Sequence, residues 1–581
     1  MAMEIPFTAN KFIRWLLLLC LMAWIWHLDY RQLQPNFTFC LFHQITGSNC
    51  YGCGFLRGVA ACLHLDFKAV WQLNPLHIIT IPLISCIVLQ TMLPADIIKI
   101  ICAKKHIMPI IRLKLFQSLI ICMPLLITSS SLFAQVKKAK RTSPIGVFDS
   151  GTGGLTVLEA LLTMDEFNNA TGAPGKDGIP DFQNEHFQYL ADQANMPYGN
   201  YAAENKTPLL KEHIIKNMRF LLGNSFRRLE KETWKSTWKE SAKMLVLACN
   251  TATAFALTDI RQFLREENKE VQVIGVIDAG VKAALQQQRE KGRGAIGVFA
   301  TAGTVASNGY PRTLIEMSAQ LGMPEPVITS QGGAGLAESI DRDWSYYVDT
   351  ASRYRKEYKG PSVKNAQYKI DTTLMSIYRF NRTGNKLLCE YDDKGACQDI
   401  QLNDPENYVR YHLVSMLEKM RQNKTQLAMN TLILGCTHYP FMRPIIQEVL
   451  LELYDYADEG GYRYRNYLAK DVALIDPSYE TAKEAYWVLR NMNLQDNTTK
   501  RKSDLFFITI PNKDLAEIEL QEDGWFTYRY KYGRQAGENK QYVKYVPFDR
   551  SNISSATYQR IEQALPAVFK DVSNYVLGAG Q

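Results

Sequence analysis

From residue 144 onward, short runs of consecutive apolar residues alternate with longer stretches whose apolar positions recur every three or four residues. Five runs stand out: Ile145 to Phe148, MLVLA ending at Ala248, VIGVI ending at Ile277, AIGVFA ending at Ala300, and TLILG ending at Gly435. Unbroken apolar runs of this length read as strands buried on both faces, and the periodic stretches after them as helices. Strand and helix in alternation predict an α/β fold whose parallel sheets are covered by helices. In such folds ligands sit beyond the carboxyl ends of the strands, so the residues following each run are where chemistry is sought.

The first 135 residues follow another pattern. Phe12 to Leu28 is apolar apart from Arg14 and His27, Leu76 to Leu93 is a more interrupted run, and Leu115 to Ala134 is a third. A helix crossing the hydrocarbon core needs about 20 mostly apolar residues, so an α-helical membrane segment is expected before the α/β body. Read from Met108, the third run has the form of a secretory signal, with a basic start, an apolar middle and the small residue Ala134 at its end. An ordinary third membrane helix is the alternative. Lys99, Lys104, Lys105, Arg112 and Lys114 crowd the link before it and point that link toward the cytoplasm. Everything after residue 135 then lies outside an inner membrane, in the periplasm. Lys137, Lys138, Lys140 and Arg141 argue for the cytoplasmic orientation instead, although long domains translocate with little regard to such charges. The expected organisation is a membrane domain over 1–107, the signal-like or third transmembrane segment over 108–135, a core over 144–340 and 429–483, an insertion over 341–428, and a C-terminal extension over 485–581.

The chain has 581 residues, too many for one compact domain. Its 66 Lys and Arg against 58 Asp and Glu leave a net charge of +8, a mild surplus that does not indicate a nucleic-acid partner. Of its 12 cysteines, all but Cys249, Cys389, Cys397 and Cys436 precede residue 135. Cys40, His43, Cys50 and Cys53 lie close together and offer soft ligands for a metal or a redox pair. Their spacing fits no standard zinc module, and packing cysteines are the plainer reading. With Thr46, Gly47, Gly54 and Arg57 they resemble the shared pattern of a small family of bacterial membrane proteins of unknown function, which supplies no activity.

Two strand ends carry matching cysteines. Leu245-Val-Leu-Ala-Cys249-Asn-Thr and Leu432-Ile-Leu-Gly-Cys436-Thr-His are near-copies. A thiol opening a helix feels the positive end of the helix dipole, which is expected to lower its pKa. A single such cysteine is by default a packing residue. Two at equivalent strand ends suit a reaction that inverts a carbon centre, in which a base removes a proton from one face and an acid returns one to the other. A cysteine hydrolase needs one thiol with a dedicated histidine, and a redox pair needs thiols near enough to join.

The stretches GVFDSGTGGLTV, ADQANMPYGN, LVLACNTATA, VIGVIDAGVKAA, FATAGTVAS, LILGCTHYP and LIDPSYETA, in this order, resemble the cofactor-independent glutamate racemases of the aspartate/glutamate racemase superfamily. The resemblance covers about 144–340 and 429–483. It implies two pseudo-symmetric α/β lobes with the site between them and no cofactor or metal. It also implies glutamate as the small-molecule partner and supply of D-glutamate for peptidoglycan; the oligomeric state is left open, a homodimer being one option. Carried over position by position, Cys249 and Cys436 are the proton-transfer thiols, and Asp149 and His438 their acid/base groups. Ser150, Tyr198, Gly199, Asn250, Thr251, Thr301, Thr304 and Thr437 fall where the family binds substrate. Asp149 and Ser150 have a plainer reading as a helix cap. GTGG lacks the Lys-Ser/Thr ending of a phosphate loop.

Glu338 stands near the place of a further acidic group in the family. Cys389 and Cys397, in the insertion, either close a small loop by a disulfide, as suits an oxidising compartment, or are two free thiols. DLFFITI and WFTYRYKY in the tail read as extra strands. Two further functions compete with glutamate racemisation: an exported racemase of another amino acid, aspartate included, and a membrane-tethered binding protein without turnover.

Overall fold

The computed structural model describes residues 141–230, 233–538 and 540–578. The chain divides into two units, Met1–Phe133 and Ala134–Gln581, and every described residue lies in the second. The apolar segments before residue 135 and the group Cys40, His43, Cys50 and Cys53 lie outside the described residues. Among the described residues no helix is long and apolar enough to cross a membrane, and no three His, Cys, Asp or Glu side chains are grouped to hold a metal ion.

The body is α/β with two main sheets. The first contains β1 (Ile145–Asp149), β2 (Phe187–Ala191), β3 (Met244–Leu247) and β4 (Gln272–Gly275). The second contains β5 (Ala295–Ala300), β6 (Val327–Gly332), β7 (Met429–Gly435) and β8 (Leu468–Ile475). Two later strands, β9 (Leu505–Pro511) and β10 (Val543–Pro547), return to the first sheet, whose order is β10-β9-β2-β1-β3-β4. The second sheet runs β8-β7-β5-β6, and every pairing in it is parallel. In the first sheet only the β9–β10 pair is antiparallel. Parallel strands demand crossovers, and these are supplied by α1 (Leu155–Thr163), α2 (Thr207–Leu221), α3 (Asn250–Glu266), α4 (Val276–Lys291), α5 (Gly309–Gln320), α6 (Pro405–Gln422), α7 (Arg443–Asp455) and α8 (Pro477–Asn491).

The central strands are largely apolar because both of their faces are covered. β1, β2, β3 and β5 are buried at every position. One apolar cluster joins Ile145 and Val147 of the first sheet with Ile296, Val298 and Ile433 of the second, through Val281, Ala284 and Leu285 of α4 and Ala482, Ala485 and Leu489 of α8. The lobes therefore share a core.

VIGVI is not one strand. β4 stops at Gly275, and Val276 and Ile277 open α4, where their side chains enter the shared core. An apolar pentad fits a buried strand or the first turn of a buried helix equally well, and tertiary packing decides. In the tail, Leu505–Pro511 is a strand, as its pattern predicts, and it extends the first sheet in parallel beside β2. WFTYRYKY is not a strand: Tyr528–Gly533 is a helix whose cap, Thr527, accepts from the Tyr530 N–H at 3.1 Å. Two of its aromatics lie instead beside Arg534, whose guanidinium is 4.8 Å from the Phe526 ring and 5.5 Å from that of Tyr530.

The insertion leaves the second lobe after Leu336–Ile340 and returns as α6, which packs on that lobe. Within it, Leu387–Tyr391 and Cys397–Leu402 form an antiparallel hairpin closed by a disulfide between Cys389 and Cys397. The tail ends in α9 (Ser555–Ala564) and α10 (Pro566–Gly578). The Glu159 carboxylate of α1 accepts the Ala567 and Val568 N–H groups at 3.1 and 2.8 Å, which caps α10 and fastens the tail to the first lobe.

Candidate active site

Asp149 ends β1, and the chain then turns back around its carboxylate. Asp149 Oδ2 accepts the Gly154 N–H at 2.9 Å and the Gly151 N–H at 3.2 Å. The loop must approach closely to do this: a Cβ on Gly154 would stand 2.5 Å from the Asp149 Cβ and 2.8 Å from the Ala248 Cβ, so only glycine fits. GTGG is therefore a collar around a carboxylate, not a cradle for phosphate.

Cys249 follows β3 and caps α3, its sulfur accepting the Ala252 N–H at 3.4 Å and lying 3.5 Å from Ser150 Oγ. The helix-start position was expected to lower the thiol pKa, and the opposite holds. Burial and the neighbouring Asp149 carboxylate outweigh the Ala252 and Ser150 donors and push the thiol up to about 12. The helix dipole contributes only a modest bias, whereas withdrawing a thiolate from water beside a carboxylate is expensive. Asp149 is likewise raised, by burial against its backbone donors. This wall of the cleft holds on to protons.

The opposite wall is different. His438 follows β7, with Nδ1 3.6 Å from Cys436 Sγ and 3.5 Å from Thr437 Oγ1, and Nε2 3.1 Å from the Asp341 carboxylate. Burial alone would depress the imidazole, but Asp341 and Cys436 overcome it and raise the pKa to about 10. Asp341, which burial would raise, is held below the usual carboxylate range by His438 and by Arg560. The imidazole ring thus stays protonated through neutral pH, with one nitrogen on a carboxylate and the other at a sulfur.

The two walls meet. A Cβ on Gly153 would lie 3.1 Å from Thr437 Oγ1, 3.6 Å from Asp149 Oδ2 and 3.9 Å from His438 Cε1, so the collar of the first lobe meets the Thr437–His438 turn of the second. Tyr310 spans the cleft floor, donating to Asn250 Oδ1 at 2.9 Å while its ring lies against Gly435, the residue before Cys436. Both thiols are free and buried, at 5% and 6% exposure. Ser150, Asn250, Thr251, Thr301 and Thr437 are partly buried.

Thr301 caps the short turn Ala302–Ala306, accepting the Thr304 N–H and bonding Thr304 Oγ1 at 2.9 Å. Gly303 on that turn faces Gly199 across the lobes. The Tyr198 ring is 2% exposed, and its hydroxyl donates to Asp192 at 2.6 Å. It is a post of the first lobe that carries Gly199 to the rim. Glu338, raised by burial, lies within the electrostatic reach of His438, but Asp341 makes the contact. Asp341 follows Glu338 by one helical turn, a spacing that marks a shared face. Arg560 enters from the distant tail, and no local pattern announces it.

Comparison with known proteins adds the following. Residues 40–88 match a family described as "Protein of unknown function (DUF2752)". The glutamate racemase of Listeria monocytogenes serotype 4a (strain HCC23) is 28% identical over 396 residues, which are 67% of this chain and 98% of that protein. The glutamate racemase of Trichodesmium erythraeum (strain IMS101) is 25% identical over 390 residues, 66% of this chain and 93% of that one. Among solved structures, a glutamate racemase isoform from Bacillus anthracis aligns at 21% identity and a TM-score of 0.37, covering 63% of this chain and 89% of its own. By homology to these racemases over nearly their whole length, the chain is an isomerase, of the racemase type.

Proposed function

We propose that the chain interconverts L- and D-glutamate by proton transfer at the α-carbon between Cys249 and Cys436, with no cofactor. The observation that carries this reading is a thiol on each wall of one cleft, each with its own acid/base partner: Asp149 beside Cys249, His438 beside Cys436. One group cannot reach both faces of a stereocentre, so inversion calls for two. Cys249, held as a thiol, is the acid that delivers a proton. Cys436 takes one from the other face as a thiolate, its own proton resting on Nδ1 of the His438 imidazolium, and the roles reverse for the other enantiomer. The hydroxyls of Ser150, Thr251, Thr301 and Thr437, the Asn250 amide and the amino end of α3 offer donors to substrate carboxylates. The test is incubation of the full chain with L-glutamate in deuterated water. Deuterium is expected at the α-carbon together with loss of optical rotation. A parallel screen of other L-amino acids would overturn the glutamate assignment if one of them, aspartate included, turned over faster.

We place the catalytic unit outside an inner membrane, tethered by the segment before residue 135. The Cys389–Cys397 disulfide supports this, because such bonds persist in oxidising compartments and are rare in the cytosol. Alkaline phosphatase fused after residue 135 is expected to be active; an inactive fusion would move the enzyme to the cytoplasmic side.

A further inference from the structure

The GTGG collar and the His438–Asp341 pair belong to different lobes, and one side chain from the C-terminal extension touches both. Arg560, on α9, donates from Nη1 to Asp341 Oδ2 at 2.6 Å and from Nη2 to Thr152 Oγ1 in the collar. His438 Nε2 reaches the same Asp341 oxygen, at 3.1 Å. The guanidinium is not a chance surface contact, since its helix is joined to α10, whose first amides are held by Glu159 of the helix that follows the collar.

We propose that Arg560 is a positioning residue of the cleft: it clasps the Asp149 collar of the first lobe to Asp341 of the second, and it shares the Asp341 carboxylate with His438. This rests on the racemase reading and extends it to the tail, which becomes part of the catalytic machinery. Two consequences follow from the geometry. The planar fork of an arginine holds two acceptors at fixed separation, so the collar and Asp341 keep a fixed distance across the cleft. And a cation on the carboxylate weakens that carboxylate's hold on the imidazolium, so His438 releases its proton to Cys436 more readily than it would with Asp341 alone. The titratable and charged groups facing His438 are Asp341 and Glu338, with Asp343 beyond them, from the end of the second lobe's first half; Cys436 on its own turn; Arg560 from the tail; and Asp149 across Gly153. Arg560 is the cation among them that bonds the carboxylate paired with His438.

The experiment compares the full chain with Arg560→Ala, Arg560→Lys and Arg560→Gln. Racemisation is measured across pH, and the imidazole of His438 is titrated by NMR, its signal identified by its loss in His438→Asn. Arg560→Ala is expected to lose about ten- to a hundredfold in kcat/KM, as misplacement by a remote change does. Its alkaline limb and its His438 midpoint are expected to move upward, because a nearby positive charge has gone. Arg560→Lys restores the charge and so the limb, but not the fork, and its KM stays raised. If Arg560→Ala does not fold, Arg560→Gln, which keeps the size and loses the charge, is read in the same way. A limb and midpoint that stay or fall in a folded variant overturn the proposal. A wild-type chain that racemises nothing overturns the racemase reading instead, and the imidazole titration still decides the clasp.

Discussion

Replacing Cys249 with alanine is expected to lower racemisation by roughly 10²- to 10⁴-fold, the usual worth of a positioned acid or base, and Cys436→Ala is expected to do the same. The two losses should be similar in size yet opposite in character. Cys249→Ala leaves Cys436 with His438 and Asp341 intact, so one enantiomer still has a base on its reactive face. That enantiomer should exchange its α-hydrogen with deuterated water while keeping its configuration, because no acid remains to protonate the other face. Cys436→Ala should show the same silent exchange with the other enantiomer. Proton NMR of the α-position, run beside polarimetry, separates exchange from inversion. Unchanged racemisation in either variant, or exchange of the same enantiomer in both, would remove the two-wall assignment. Serine in place of either cysteine should behave much as alanine does, since an alcohol is a far weaker acid than a thiol in so buried a place.

The second large effect concerns folding. At the amino ends of the first sheet's strands, away from the cleft, Lys243 and Glu185 form an ion pair at 2.6 Å with side chains 0% and 5% exposed. Lys243 Nζ also donates to the Leu494 carbonyl at 2.9 Å, and Glu185 Oε1 accepts the Asp496 N–H at 2.8 Å, so the pair ties the start of β3 to the turn after α8. Burial lifts the Glu185 carboxyl and depresses the Lys243 ammonium despite their mutual attraction. Desolvation thus exceeds the attraction, as is common for buried pairs. Lys243→Met is therefore expected to destabilise the protein by about 3–5 kcal/mol, since it strands a carboxylate in the interior. Changing both residues to apolar side chains of similar volume should recover most of that loss. Denaturant unfolding of the two variants checks this. A single variant as stable as the parent, or a double variant no more stable than the single, would overturn this account of the pair.

Much of the site could be read along the chain because its parts sit where the fold places all such parts. Asp149, Cys249, Thr301 and Cys436 each follow an apolar run directly, and a parallel strand delivers its next residue to the carboxyl edge of the sheet wherever the strand lies. His438 came with Cys436 for the same reason. Tyr198 shows where such reading ends. Its motif said nothing of its hydroxyl, which Asp192 takes, and Asp192 is also held by Asn195, Asn217 and Thr509, three residues far apart in the chain or on its own turn.

The order of residues along the chain alone determined the α/β architecture, the positions of the strand ends and the duplication of the thiol, because strand period and burial are local properties of the chain. Only the tertiary structure decided that Cys249 is held as a thiol, that Asp341 and not Glu338 serves His438, and that Arg560 joins the two walls. Proton affinity depends on burial and on charges brought from distant segments, and neither is written in the neighbourhood of any one residue.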